Sequence, residues 1–75
     1  MLKIKDNVGF RELEKFGYEY MHTCFCKDVE PDWVLRINLK TREIKCWNFV
    51  SGKKKNAKPY IQDLIQAGLV EKVGE

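Results

Sequence analysis

Seventy-five residues with 44% apolar and 33% charged side chains describe one small folded domain rather than a disordered chain. The formal charge of +3 falls short of the basic stripe of a dedicated nucleic-acid binder, and no apolar run reaches the roughly 20 residues that span a bilayer. Three cysteines, an odd count, and no N-terminal apolar segment resembling a signal peptide point to free thiols in a reducing, cytoplasmic setting.

In chain order, Leu2 and Ile4 alternate with Lys3 and Lys5, the pattern of a short edge strand. A first helix follows. Gly9 is its N-cap, Glu12 stands in the capping-box position, and Val8 and Leu13 have the spacing of a hydrophobic staple. Phe10, Leu13 and Phe16 form its apolar stripe. Gly17 ends it in the left-handed region, with Tyr18 placed to touch Leu13 in a Schellman arrangement.

Tyr18 to Cys26, rich in aromatic and strand-tolerant residues, reads as a first main strand whose buried face the pattern leaves undecided. Lys27 to Asp32, with three acids and Pro31, reads as the connection to a hairpin. That hairpin, Trp33 to Val50, is the most regular stretch of the chain. Trp33, Leu35, Ile37 and Leu39 alternate with Val34, Arg36, Asn38 and Lys40, as a strand with one buried face requires.

Two loops are compatible with it: a tight turn at Thr41 and Arg42, or a four-residue loop from Leu39 to Arg42 with Asn38 bonding the loop backbone and Arg42 left-handed. The order Asn38-x-x-Thr41 favours the longer one. Both give the same parity, so Leu35, Ile37, Ile44 and Cys46 share the core face. Val34, Arg36, Lys45, Trp47 and Phe49 share the other.

Ser51 to Asn56 is polar and breaks the strand pattern. Pro59 suits the first position of a second helix with the stripe Tyr60, Ile61, Leu64 and Ile65, closed by Gly68 with Leu69 over Leu64. Leu69 to Val73 has the composition of a last edge strand. The expected fold is therefore α+β: a three-stranded antiparallel meander with two helices packed on one face, in the order α-β-β-β-α, with short edge strands allowed at both ends. Packing the helices on opposite faces is the competing arrangement.

The opening Lys3-Ile4-Lys5-Asp6-Asn7-Val8 with Glu12-Leu13-Glu14-Lys15-Phe16-Gly17, and the ending Tyr60 to Val73, resemble the ends of small uncharacterised proteins of Gram-positive bacteria and their phages. That resemblance covers about a third of the chain and implies a cytosolic, phage-related origin, with no residue role attached. The ending also resembles a recognition helix running into a wing strand of winged-helix repressors. Three strands between the two helices, in place of a helix triplet, depart from that pattern.

Few residues suggest bond-making chemistry. His22, Cys24, Cys26 and Cys46 are permitted zinc ligands, but strand neighbours two apart repeat at about 6 to 7 Å, whereas thiolates must each lie about 2.3 Å from a shared metal. His22 paired with Cys24 lacks an orienting acid and an oxyanion donor. Asp28, Glu30 and Asp32 mimic the start of a calcium loop, with Trp33 where glycine is needed and Leu39 where glutamate is needed; they read as a solvated turn. No phosphate-cradling glycine loop, nucleophile elbow or inward carboxylate pair is present, so neither an enzyme nor a cofactor or metal is expected.

What remains is binding. Lys53, Lys54, Lys55 and Lys58 precede a helix start and are a candidate anion site, with a solvated lysine loop as the plainer reading. Val34, Arg36, Lys45, Trp47 and Phe49, joined by Met21 and Phe25, make a sheet face too apolar for ordinary solvent contact and are the candidate surface for self-association or a protein partner. The alternative is single-stranded nucleic acid, with Trp47 and Phe49 stacking on bases and Arg36, Lys45 and Lys53 to Lys55 on phosphates. Cys46-Trp47-Asn48-Phe49-Val50 lacks the glycine and closing aromatic of the RNA-recognition-motif signature.

Overall fold

A computed structural model of the chain describes residues 1–73. The strands are β1 (Leu2–Ile4), β2 (Glu19–Tyr20), β3 (Cys24–Glu30), β4 (Trp33–Asn38), β5 (Ile44–Asn48), β6 (Lys54–Lys55) and β7 (Val70–Lys72); the helices are α1 (Arg11–Glu14) and α2 (Gln62–Gln66), the latter preceded by a 3₁₀ turn at Lys58–Tyr60. β2 to β6 form one antiparallel sheet in sequential order, with β4 in the middle, and β1 pairs antiparallel with β7 in a second, two-stranded sheet.

The expected three-stranded meander with two substantial helices is therefore corrected to a five-stranded sheet, a two-stranded sheet and, among the described residues, two helices of four and five residues. Three local events account for the difference. The Tyr18 to Cys26 segment is not one strand: His22 takes φ 62° and the Thr23 amide donates to the Met21 carbonyl at 2.6 Å, the closure of a γ-turn, so Tyr20 folds back on Phe25. His22 is thus an exposed turn residue rather than a strand residue.

The expected acidic connection is also mostly strand, because β3 continues to Glu30 through a bulge and leaves Pro31 and Asp32 as the turn, Asp32 at φ 68°. Finally, the Ser51 to Asn56 run is not a simple strand breaker. The chain reverses between Asn48 and Lys53, Gly52 takes φ 76°, and Lys54 and Lys55 pair with Trp47 and Cys46.

The two long-range loops of the sheet are the same device used twice. Asn38 Oδ1 accepts the Lys40 and Thr41 amides, the Arg42 amide donates to the Asn38 carbonyl, and the Asn38 amide donates to the Glu43 carbonyl. Asn48 repeats each bond with Val50, Ser51, Gly52 and Lys53. Arg42, at φ 65°, stands where the second loop has Gly52. The longer of the two hairpin loops is the one formed, and Ile37 opposes Ile44.

Both helix ends close as their glycines require. Tyr18 and Gly17 amides donate to Leu13 and Glu14 carbonyls, and Leu69 and Gly68 amides to Leu64 and Ile65, two Schellman closures at φ 91° and 75°. The helices are shorter than their stripes suggested, since the bonds flanking α1 (Glu12 to Gly9, Leu13 to Phe10, Lys15 to Glu12) are the tighter i to i−3 kind.

Leu13, Ile61 and Leu64 nevertheless join Ile4, Val8, Tyr18, Phe25, Leu35, Ile37, Ile44 and Cys46 in one buried cluster on the inner face of the large sheet. The two-stranded sheet is held to the hairpin loop by the Ile4 amide, which donates to the Arg42 carbonyl, and by a Lys3–Glu43 bridge. Arg42 Nη1 donates to the Lys5 and Val8 carbonyls at 2.9 and 2.7 Å, with the guanidinium 4.5 Å from the Phe10 ring centre.

Candidate functional site

Because side chains alternate along a strand, the register fixes which residues meet on the outer face. Cys26, Arg36 and Lys45 lie in one row across β3, β4 and β5; Asp28, Val34, Trp47 and Lys54 lie in the next, across β3 to β6. Glu19 extends the first row onto β2, and Cys24 stands beside Asn38 one row further on. Val34, Arg36, Lys45 and Trp47 are thus brought together. Phe49 lies just past the end of β5, its amide donating to the Asp32 carbonyl, and joins the face at the β3–β4 turn. Phe25 turns inward, at 5% exposure, and leaves the proposed surface.

Exposure is uneven across this face. Val34 is 8% exposed and Trp47 half-buried, whereas Phe49 and Met21 are more than half exposed. Arg36 lies over the Trp47 ring, 5.2 Å from its centre, a cation–π contact that covers one ring face. Two shallow depressions flank it. One, of about 550 Å³, has Glu19, Met21, Asp28, Val34 and Phe49 in its lining; the other, of about 370 Å³, has Cys24, Arg36, Lys45, Trp47 and Lys54. The first carries the acids Glu19 and Asp28 on β2 and β3 with Lys27 beside them, the second the bases Arg36, Lys45 and Lys54 on β4 to β6 with Glu43 beside them. Charge on the outer face is therefore divided about β4, with Lys45 also bridged to Glu43 at 3.7 Å.

The four lysines of the candidate anion site are not gathered in one place. Lys54 points outward beside Trp47, while Lys55, next along the strand, pairs across from Cys46 on the inner side. There its ammonium donates to Glu30 at 2.7 Å and lies 4.1 and 4.9 Å from the Trp33 and Tyr60 ring centres. Tyr60 donates its hydroxyl to the same carboxylate at 2.9 Å. The ammonium and hydroxyl hold Glu30 below its usual carboxylate value, and Glu30 and Tyr60 raise Lys55. Glu30 is thus a strand residue with two partners rather than part of a solvated turn.

Sequence reasoning missed the thiol pair. Cys24 and Cys26 Sγ atoms lie 3.2 Å apart, half the strand repeat used to separate them, because side chains lean along the strand direction while the backbone repeat only sets where they start. Their environments differ. Burial opposes ionisation of Cys24, but the Cys26 thiol and the Arg36 guanidinium outweigh it and lower its value. Burial and the neighbouring Cys24 push Cys26 up to about 11. Cys46, on the inner face at 1% exposure, is raised by burial. Among the described residues no three histidine, cysteine or acidic side chains converge as a metal site would need, and no helix is long and apolar enough to cross a membrane.

No family model matches the chain, and neither a curated protein nor a solved structure matches it.

Proposed function

We propose that this chain is a non-enzymatic interaction module whose outer sheet face packs against the same face of a second copy. The observation that carries this reading is the division of charge about the central strand. A two-fold axis lying in the interface and running along β4 exchanges β2 with β6 and β3 with β5. It brings Glu19 and Asp28 of one copy over the strands carrying Lys45 and Lys54 of the other. An axis across the strands would set acid on acid, so charge selects the first. Arg36 lies on that axis but leans over its own Trp47, which turns the two guanidinium groups to opposite sides.

Val34, Trp47, Phe49 and Met21 supply the apolar contact between the charged flanks. Sheets packed this way lie within about 30° of parallel, the aligned arrangement of sandwiches. Strands of two, seven, six, five and two residues, at about 3.4 Å per residue and 4.8 Å between strands, cover roughly 360 Å². Two such faces, roughly 720 Å², stay below the about 1,000 Å² of stable specific interfaces, so the association is weak and micromolar at the tightest. Free thiols fit a reducing cytoplasm as its setting.

The experiment is a charge swap followed by sedimentation velocity across the micromolar range. Lys45→Glu with Lys54→Glu, and separately Glu19→Lys with Asp28→Lys, should each be monomeric where the natural chain dimerises, and an equimolar mixture of the two should dimerise again. A natural chain that stays monomeric at high micromolar concentration would overturn the reading. So would salt-sensitive oligonucleotide binding lost on Trp47→Ala, which would make the face a nucleic-acid platform.

A further inference from the structure

Two thiols on the outer face are arranged unlike ordinary buried cysteines. Structural thiols sit in apolar surroundings and are inert, which describes Cys46 beneath the inner face. Cys24 and Cys26 are instead side by side at 3.2 Å on the opposite side of the sheet. Cys26 is paired across the ladder with Arg36, and Cys24 and Arg36 share the lining of the depression of about 370 Å³, together with Thr23, Lys45 and Lys54 and one carboxylate, Glu43, which is bridged to Lys45. Cys24 is 6% exposed, so only a small reagent reaches it through that depression. We infer that Cys24 and Cys26 form a dithiol that reacts with hydroperoxides, Cys24 as the attacking sulfur and Cys26 as the resolving one.

The difference in ionisation agrees with this division of roles. Cys24 is favoured as thiolate by the Cys26 thiol and Arg36, while Cys26 keeps its proton. In the first step the Cys24 thiolate attacks one peroxide oxygen; the O–O bond breaks, the sulfur becomes a sulfenic acid, and the second oxygen leaves as hydroxide or alkoxide. In the second, Cys26 Sγ attacks Cys24 Sγ and gives up its proton. The S–O bond breaks and the hydroxyl departs with that proton as water. Two electrons leave the pair of sulfurs and the peroxide is reduced. Arg36, Lys45 and Lys54 stabilise the departing anion.

The strand makes the product easy to reverse. Residues two apart in a strand have Cα atoms about 6.6 to 6.8 Å apart, the upper limit of what a disulfide spans, so closure pulls β3 inward at Phe25. Phe25 stacks on Phe10 at 5.5 Å and lies in the core, and that packing resists the pull. Strained bonds of this kind are the readily reduced ones. The reaction stands on the uncovered face and does not depend on self-association.

The test treats the full chain with hydrogen peroxide at low micromolar protein and follows intact mass. The expected product has lost two hydrogens, regains them with dithiothreitol, and carries the link within the peptide containing Cys24 and Cys26. Cys26→Ser should leave a sulfenic acid at Cys24 that dimedone traps, with circular dichroism confirming that the variant is folded. Arg36→Gln should slow oxidation and raise the pH at which iodoacetamide half-alkylates Cys24, because the guanidinium is one of the groups that favour its thiolate. Links between chains, dimedone on Cys46 in place of Cys24, or a natural chain with unchanged mass after peroxide would each overturn the inference.

Discussion

Arg42 offers a sharp test of how this small chain holds together. It occupies a left-handed position, φ 65°, which its counterpart in the sister loop gives to Gly52. A residue with a side chain tolerates that conformation at a cost of about 1 kcal/mol. The cost is offset by what the side chain reaches: one nitrogen donating to the carbonyls of Lys5 and Val8, with the guanidinium over Phe10. Charge-assisted bonds to part-buried acceptors contribute about 1.5 kcal/mol each at the low end, and the cation–π contact about 0.5 kcal/mol. Arg42→Ala keeps the backbone cost and loses the contacts, so it should destabilise by about 3.5 kcal/mol. Arg42→Gly loses the same contacts but relieves the backbone and should lie about 1 kcal/mol above the alanine variant.

Against a total of about 4 to 11 kcal/mol for 75 residues, the alanine change is severe, equivalent to a fall in midpoint of roughly 14 to 28 °C. Urea titration followed by tryptophan fluorescence, with equal slopes across the series, measures both differences. An alanine variant within about 1 kcal/mol of the natural chain would refute the clamp. A glycine variant less stable than alanine would refute the backbone assignment.

Tyr18 presents a buried hydroxyl with no hydrogen-bond partner among the described residues, and burial, aided by Asp63, raises its pKa. Tyr18→Phe removes that cost and keeps the ring under the Lys27 ammonium, so thermal unfolding should show a gain of about 1 kcal/mol; a loss of that size would mean the hydroxyl is satisfied in solution. Glu30 links the β3 end to Lys55 and Tyr60 with a depressed carboxyl value, so its contribution is present at neutral pH and disappears as pH falls through that lowered value. Glu30→Gln should therefore be less stable than the natural chain near neutrality, and the difference should shrink as pH falls below the usual carboxylate range, as urea midpoints across an acid series will show.

Where local chemistry decides the backbone, the sequence is readable. The Leu13–Tyr18 and Leu64–Leu69 closures follow from glycine at C′, and the facing of the Trp33 to Val50 hairpin follows from alternation. The sixth strand was readable too, because Asn48-x-x-Ser51-Gly52 repeats Asn38-x-x-Thr41-Arg42 with glycine in the easier place; a lysine run conceals it. The turn at His22 carries no such sign, since neither glycine nor proline marks it and the strand-like composition runs straight through. Pairing of β1 with β7 joins the two ends of the described chain and depends on how the core brings them together, which no local pattern encodes. The thiol pair is hidden for a different reason: the backbone repeat separates alternate strand residues by about 6 to 7 Å, whereas side-chain lean decides how close their sulfurs come.

Arg36 joins the two uses argued for the outer face. It sits on the middle strand, over Trp47, across from both Cys26 and Lys45, and shares a depression with Cys24. A second copy packed along β4 as proposed would cover that depression and close the route of a peroxide to Cys24. Conversely, a Cys24–Cys26 disulfide would draw β3 inward at Phe25 and withdraw the thiolate that Arg36 balances, and so would alter the shape and charge of the surface proposed to meet a second copy. Linkage then requires the two effects to be equal: by whatever factor oxidation weakens docking, docking must disfavour the disulfide. With both proposals in force, peroxide would be read out as a change in association, and Arg36 would be the residue common to the two.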